Sequence, residues 1–224
     1  MTNTLHRYGK SESFQDDYII FAIPCKGKND DGAVERLKTF LRICADHKPA
    51  NMGNSSFASY CPSSNLQPTV HWSRDAAPDY KSVIEGVHKS GTVAAVFDSR
   101  EKAEGCLREL VKADLGLSVN ISTSVEGAKQ AGESCGIKRH SVEYSLGFCD
   151  QHDHLPNSQV LELSTMCGHG MVSFNLAKKL LERMREGRRT PDQIVTTLAR
   201  FCPCGVYNPA RARRLLEEAR KHQA

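Results

Sequence analysis

The sequence predicts a mixed α/β protein: a β-α-β-α-β sheet body followed by a C-terminal three-helix module. Two patterns carry that expectation. Through residues 1–164, short apolar runs alternate with segments of helical periodicity. Over residues 165–224, strand-like runs give way to repeated helix start signals.

The elements follow in order. DYIIFAIP, Asp17 to Pro24, reads as a buried strand, and DDGAVERLKTFLRICADH as a helix with Val34, Leu37, Leu41 and Cys44 on one face. Lys48 to about Pro68 is rich in Asn, Gly, Ser and Pro without periodicity, so a long loop is expected there. TVAAVFD, Thr92 to Asp98, is a strand, and Asp98-Ser99-Arg100-Glu101 has the spacing of a capping box. The helix it opens carries Ala103, Cys106, Leu107, Leu110 and Val111 on its apolar face. LSVNIS is the next strand, Thr123-Ser124-Val125-Glu126 another capping box, and HSVEYSLG a strand from His140. VLELS, Val160 to Ser164, is the last strand candidate.

The tail reads as three helices. One runs from near Gly168 to Gly187, whose residue type suits the left-handed position after a helix. Another starts at Thr190, with Pro191 in the first turn and Gln193 completing a capping box, and the third starts at Asn208-Pro209.

Composition narrows the function classes. No apolar run approaches the ~18 residues of a membrane span, and the N-terminus lacks the apolar stretch of a signal peptide, so a soluble, cytoplasmic protein is expected. Among reducing thiols, nine cysteines point away from a disulfide framework and toward metal binding, catalysis or burial. Cys44 and Cys106 fall on apolar stripes and read as core. The net charge of +4 is uneven: from Met171 onward 12 Lys and Arg stand against five acids, +7, which leaves the rest near −3. A basic helical tail suits nucleic acid or anionic metabolites, although solvated helix faces carry such charge too.

The chemistry concentrates in TMCGHGMVSFNL (165–176) and FCPCGVYNPARA (201–212). A helix over 168–186 rises about 28 Å and one over 191–201 returns about 16 Å, at ~1.5 Å per residue. An inclined antiparallel pair therefore brings Cys202 and Cys204 back beside Cys167, with two helix starts nearby. Helix N-termini lower thiolate pKa and favour anionic ligands, and Gly168, Gly170 and Gly205 permit close approach of a bulky group. Three thiolates suit a [4Fe-4S] cluster with one iron open to substrate. Cys149 or His169 as a fourth ligand closes the shell and implies electron transfer, sensing or structure, with zinc as the alternative metal. The Cys-x-Cys spacing matches neither the Cys-x₂-Cys ferredoxin nor the zinc-ribbon pattern.

Met166-Cys167-Gly168-His169-Gly170 also resembles the sequence around a catalytic cysteine in the proline racemase family, where a thiolate at a helix start exchanges an amino acid's α-proton. The resemblance covers five residues, without that family's second cysteine motif or chain length. It implies Cys167 as acid/base with His169 as neighbour.

Secondary candidates are Cys25, Lys26, Lys28 and Asn29 in the loop after the first strand, and His152 and His154 in QHDHLP. Cys61 and Cys135 carry no distinct signal. The expected function is an iron–sulfur lyase acting on a small anionic substrate by elimination, hydration or sulfur removal. Cys167, Cys202 and Cys204 would hold the cluster, and His169 is the first acid/base candidate. A redox sensor or nucleic-acid-binding protein with a structural metal, and a metal-free cysteine epimerase, are the alternatives.

Overall fold

The computed structural model describes residues 5–55, 79–143, 152–202 and 204–221. Strands β1 (Tyr18–Ile23), β2 (Asn51–Asn54), β3 (Val93–Phe97) and β4 (Ser118–Ser122) form one antiparallel sheet in the order β2-β3-β1-β4. Helix α1 (Ala33–Asp46) joins β1 to β2, and a short α2 (Tyr80–Glu85) precedes β3. Because β3 is antiparallel to both β1 and β2, those two run parallel with β3 between them. In the same way β1 separates the parallel pair β3 and β4, which α3 (Arg100–Ala113) connects. The expected α/β body is thus two interlocked split β-α-β units, the ferredoxin-like topology, which by itself carries no function.

The pleat sorts side chains onto two faces. Tyr18, Ile20, Ala22, Val93, Ala95 and Phe97 pack with α1, α2 and α3, whereas Ile19, Phe21, Ala94 and Val96 pack with the C-terminal helices. With both faces covered, β1 and β3 read as continuous apolar runs instead of alternating ones. Cys44 and Cys106 are core residues, as their stripes predict. Val111, expected on the same stripe as Cys106, is 44 % exposed because it borders an open cavity beside edge strand β4. The caps of α3 and α4 (Val125–Ser134) are Ser99 and Ser124, each one residue later than the capping boxes suggest; their hydroxyls accept from Lys102 and Gly127 N–H.

Several expected elements are corrected. The long loop expected from Lys48 to about Pro68 contains β2, whose four residues are all buried although Asn and Gly are poor strand formers; residues 56–68 lie outside the described residues. Pairing with β3 and two buried asparagine side chains hold it in place. VLELS is not a strand but part of helix α5 (Ser158–Thr165), capped by Asn157, with Val160, Leu161, Leu163 and Ser164 inward. A five-residue window could not separate the two periods. His140–Glu143 belong to no strand, and the rest of HSVEYSLG lies outside the described residues.

The first tail helix, α6 (Phe174–Arg185), starts six residues after Gly168. Ser173 caps it by accepting from Leu176 N–H, while Gly168 and Gly170 take left-handed φ values of 74° and 71° that no α-helix accommodates. Helices α7 (Pro191–Ala199) and α8 (Pro209–Lys221) start where their caps predict, Gly187 is left-handed as expected, and the Thr190–Gln193 capping box is complete. Helices α5 to α8 cover the sheet face opposite α1.

A buried ionic cluster ties the chain's two ends together. Asp17 accepts from Arg7 at 2.6 Å and from Arg211 at 2.9 Å, and both guanidinium groups lie over the Phe14 ring. Glu162 takes a second Arg211 nitrogen at 3.1 Å. All three charges at the centre are almost wholly buried, so removing one partner would leave another uncompensated.

Candidate functional site

Two loops form the site. The first follows α5: Gly168 N–H bonds back to Thr165 C=O, and the left-handed glycines at 168 and 170 turn the backbone so that the N–H groups of His169 and Met171 bond the Cys167 sulfur. The second follows α7: Cys202 N–H bonds Ala199 C=O, Gly205 N–H bonds Cys202 C=O, and Gly205 is left-handed at 71°. The chain returns through α6 and α7 and these loops meet as expected, although α6 is shorter than the helix over 168–186 on which the length comparison rests. The anticipated helix N-termini are not the source of polarity, however. Cys167 follows a helix C-terminus, and the donors are loop N–H groups in a nest-like turn.

The structure brings Cys167, His169, Cys202 and Cys204 into one cluster. Cys202 bonds to the Cys167 sulfur, His169 bonds to the Cys167 and Cys204 sulfurs, and Cys204 Sγ lies 3.8 Å from His169 Nδ1. Cys167 and Cys202 are fully buried and Cys204 is 5 % exposed, whereas His169 is half-buried. The bond from Cys202, aided by His169 and the two N–H groups, overcomes burial and draws the Cys167 thiol down to about 5. Its partner moves the other way: bonding to Cys167 and burial push the Cys202 thiol well above its ordinary value. Bonds to the two sulfurs push His169 up to about 10 against the opposing effect of burial. These shifts favour the thiolate form of Cys167 and the imidazolium form of His169. Among the described residues, buried His169 Nε2 has no hydrogen-bond partner.

Sequence reasoning missed the elements that hold this cluster. Asn51 Nδ2 donates to Tyr207 C=O at 3.0 Å, and Tyr207 Oη donates to Leu163 C=O at 3.1 Å, so the second loop is fixed to β2 and α5 together. A Cβ at Gly205 would lie 2.4 to 2.5 Å from the Met52–Gly53 backbone, so the loop meets β2 main chain to main chain. The N-terminal stretch closes the first loop: His6 N–H bonds Gly168 C=O, Tyr8 N–H bonds Thr165 Oγ1, and Leu5 lies where a Gly168 side chain would project. Only Gly205 gave any signal, as a glycine flanking cysteines.

The remaining candidates whose side chains are described stand apart. Cys25 is exposed in a turn closed by the Asn29 side chain, whose oxygen accepts from Cys25 N–H. Cys135 is partly buried, and His154 is exposed in a short 3₁₀ turn. Cys61 and Cys149 lie outside the described residues. Part of the tail's positive charge is neutralised internally: Arg211 by Asp17 and Glu162, Arg213 by Asp192, and Arg214 by Asp16 and Glu218.

Among the described residues, no three His, Cys, Asp or Glu side chains have the geometry to close on a single metal ion. Among them too, no helix is long and apolar enough to cross a membrane. Comparison of the chain with protein families, with curated proteins and with solved structures gives no match.

Proposed function

We propose that this protein is an iron–sulfur enzyme in which Cys167, Cys202 and Cys204 hold a [4Fe-4S] cluster, acting on a small anionic molecule by elimination, hydration or sulfur removal. The observation that supports it is the meeting of three thiols from two loops beside one imidazole, with loop N–H groups directed at a sulfur. Soft sulfur donors suit iron, and a backbone nest suits anionic sulfides. A cluster held by three thiolates supplies an iron with one open position, able to polarise a substrate oxygen or sulfur. The chain's own residues do the rest. Cys167 is held deprotonated, ready to ligate without first losing a proton. His169, half-buried beside the sulfurs, holds a proton on its ring and is the group that gives it to, or takes it from, a substrate.

Anaerobic purification with iron, zinc and acid-labile sulfide analysis tests this. Iron and sulfide are expected together; Cys167→Ser, Cys202→Ser and Cys204→Ser should each abolish cluster assembly, while Cys149→Ser and His169→Ala retain it. His169→Ala should lose turnover instead. Zinc without sulfide after careful reconstitution would sink the proposal.

A second reading has its own support. Cys167 contacts both His169 and Cys202 in the chain alone, an arrangement suited to a metal-free thiolate acid/base. Metal-free protein that exchanges the α-proton of an amino acid with deuterated solvent, and loses this with Cys167→Ser, would favour it.

A further inference from the structure

We infer that edge strand β2 is the template on which the Cys202–Cys204 loop is set, and that Asn51 is the positioning residue for those two thiols. The inference deepens the iron–sulfur reading but stands on contacts independent of it.

The observations lie in β2 itself. It is the outermost strand on its side of the sheet, yet all four of its residues are buried. The loop carrying the cysteines covers part of it: at Gly205 even a methyl group would overlap the Met52 and Gly53 backbone. This contact holds the loop against the strand, but a contact between main chains resists sliding weakly. Asn51 supplies the directional element. The residue is 2 % exposed, and its Nδ2 donates to Tyr207 C=O, three residues beyond Cys204. A buried carbonyl stripped of its donor is costly, so the loop has one favoured position along β2. Tyr207 in turn reaches across to α5, the helix that ends at the Cys167 loop, and so links the two halves of the site.

The same strand contains its own control. Asn54 is equally buried and also donates Nδ2 to a backbone carbonyl, but to Val83 in α2, away from the cysteines. A merely structural role predicts that the two asparagines are interchangeable in their effects; a positioning role predicts that they are not.

The experiment compares Asn51→Leu with Asn54→Leu in the full chain. Both should lower the melting temperature. In reconstituted protein, Asn51→Leu should lose iron to a chelator roughly tenfold faster than wild type, the weight of one lost buried hydrogen bond, and Asn54→Leu should not. In metal-free protein, Asn51→Leu should speed alkylation of Cys202 and Cys204 by iodoacetamide by a similar factor, with exposed Cys25 as the unchanged reference. Equal effects of the two variants on these rates, after matching for stability, would overturn the inference. Wild type that never takes up iron would instead defeat the iron–sulfur reading, and the alkylation comparison would still decide the role of Asn51. If Asn51→Leu fails to fold, Asn51→His, which keeps a donor, takes its place: it should slow alkylation relative to Asn51→Ala, and no difference between those two overturns the inference.

Discussion

The thiol pair on one face of the sheet, Cys44 with Cys106, and the pair on the other, Cys167 with Cys202, are equally buried; Cys44 and Cys202 are both pushed up, but Cys167 is drawn down. The sulfurs of Cys44 and Cys106 are 3.6 Å apart, and burial pushes the Cys44 thiol well up. Cys167 also has a thiol neighbour and also lies in a hydrophobic cluster, but its ionisation is shifted down. Burial alone therefore does not set the direction in which a thiol shifts here. The difference is the supply of donors: the Cys202 thiol bonds the Cys167 sulfur, and where α1 and α3 bond their own N–H groups within the helix, the turn at Gly168 and Gly170 adds His169 and two N–H groups to the same sulfur.

The largest break in this comparison should come from the backbone. Gly205→Ala combines a left-handed φ with contacts no Cβ tolerates, and should cost about 3 kcal/mol or more in denaturant unfolding of metal-free protein. Gly27→Ala separates the two causes. Its φ is also 71°, but it has nothing within 4 Å, so only the backbone cost of about 1 kcal/mol is expected. Equal losses at the two glycines would show that β2 yields to the loop.

Next in size are the inert thiols. Cys44→Ala and Cys106→Ala each remove a fully buried sulfur from the α1–α3 core and should destabilise the fold by roughly 1 to 3 kcal/mol. Iron content should stay at the wild-type level. Loss of iron in either folded variant would mean that the two faces are not chemically separate.

What the sequence revealed follows the same division. Cys44 and Cys106 sit at positions of a helical repeat, and a repeat is local information, so their burial was legible. The meeting of Cys167 with Cys202 and Cys204 was legible from the helix starts, because Thr190, Pro191 and Asn208 mark starts that local chemistry dictates, although the first helix is shorter than expected. The origin of the low Cys167 ionisation was not. A glycine next to a cysteine fits a helix start or a left-handed turn equally well, and the Ser173 cap, five residues after Gly168, decides for the turn. Strand β2 was hidden for another reason: Asn51, Gly53 and Asn54 have the composition of a loop, and they are held in the sheet by partners more than 25 residues away in the chain. The Asp17–Arg211 pair spans nearly the whole sequence, and no window contains it.

The smallest effect, and the one that sharpens the comparison most, is the pH dependence of stability in metal-free protein. Cys167 falls from an ordinary 9.0 to about 5, and His169 rises from 6.5 to about 10. The depressed thiol contributes stability that is complete above 9.0 and lost as pH falls toward 5; the raised imidazole contributes stability that is complete below 6.5 and lost as pH rises toward 10. Between pH 5 and 6.5 the unfolded pair holds two protons and the folded pair one, so stability rises with pH. From 6.5 to 9.0 each state holds one proton and the contribution is flat; above 9.0 only the folded pair holds a proton, and stability falls. His169 is half-exposed, so solvent screening keeps the amplitude modest. The measurement is the difference in unfolding free energy between wild type and the Cys167→Ser/His169→Gln double variant from pH 5 to 10. A plateau with two falling shoulders is expected. For Cys44→Ala the same difference should be flat up to about 9 and change only above it, since a raised thiol pKa affects stability only where the unfolded thiol ionises. If the double-variant difference is also flat from pH 5 to 9, Cys167 is an ordinary buried thiol, and the two faces of the sheet differ in position alone.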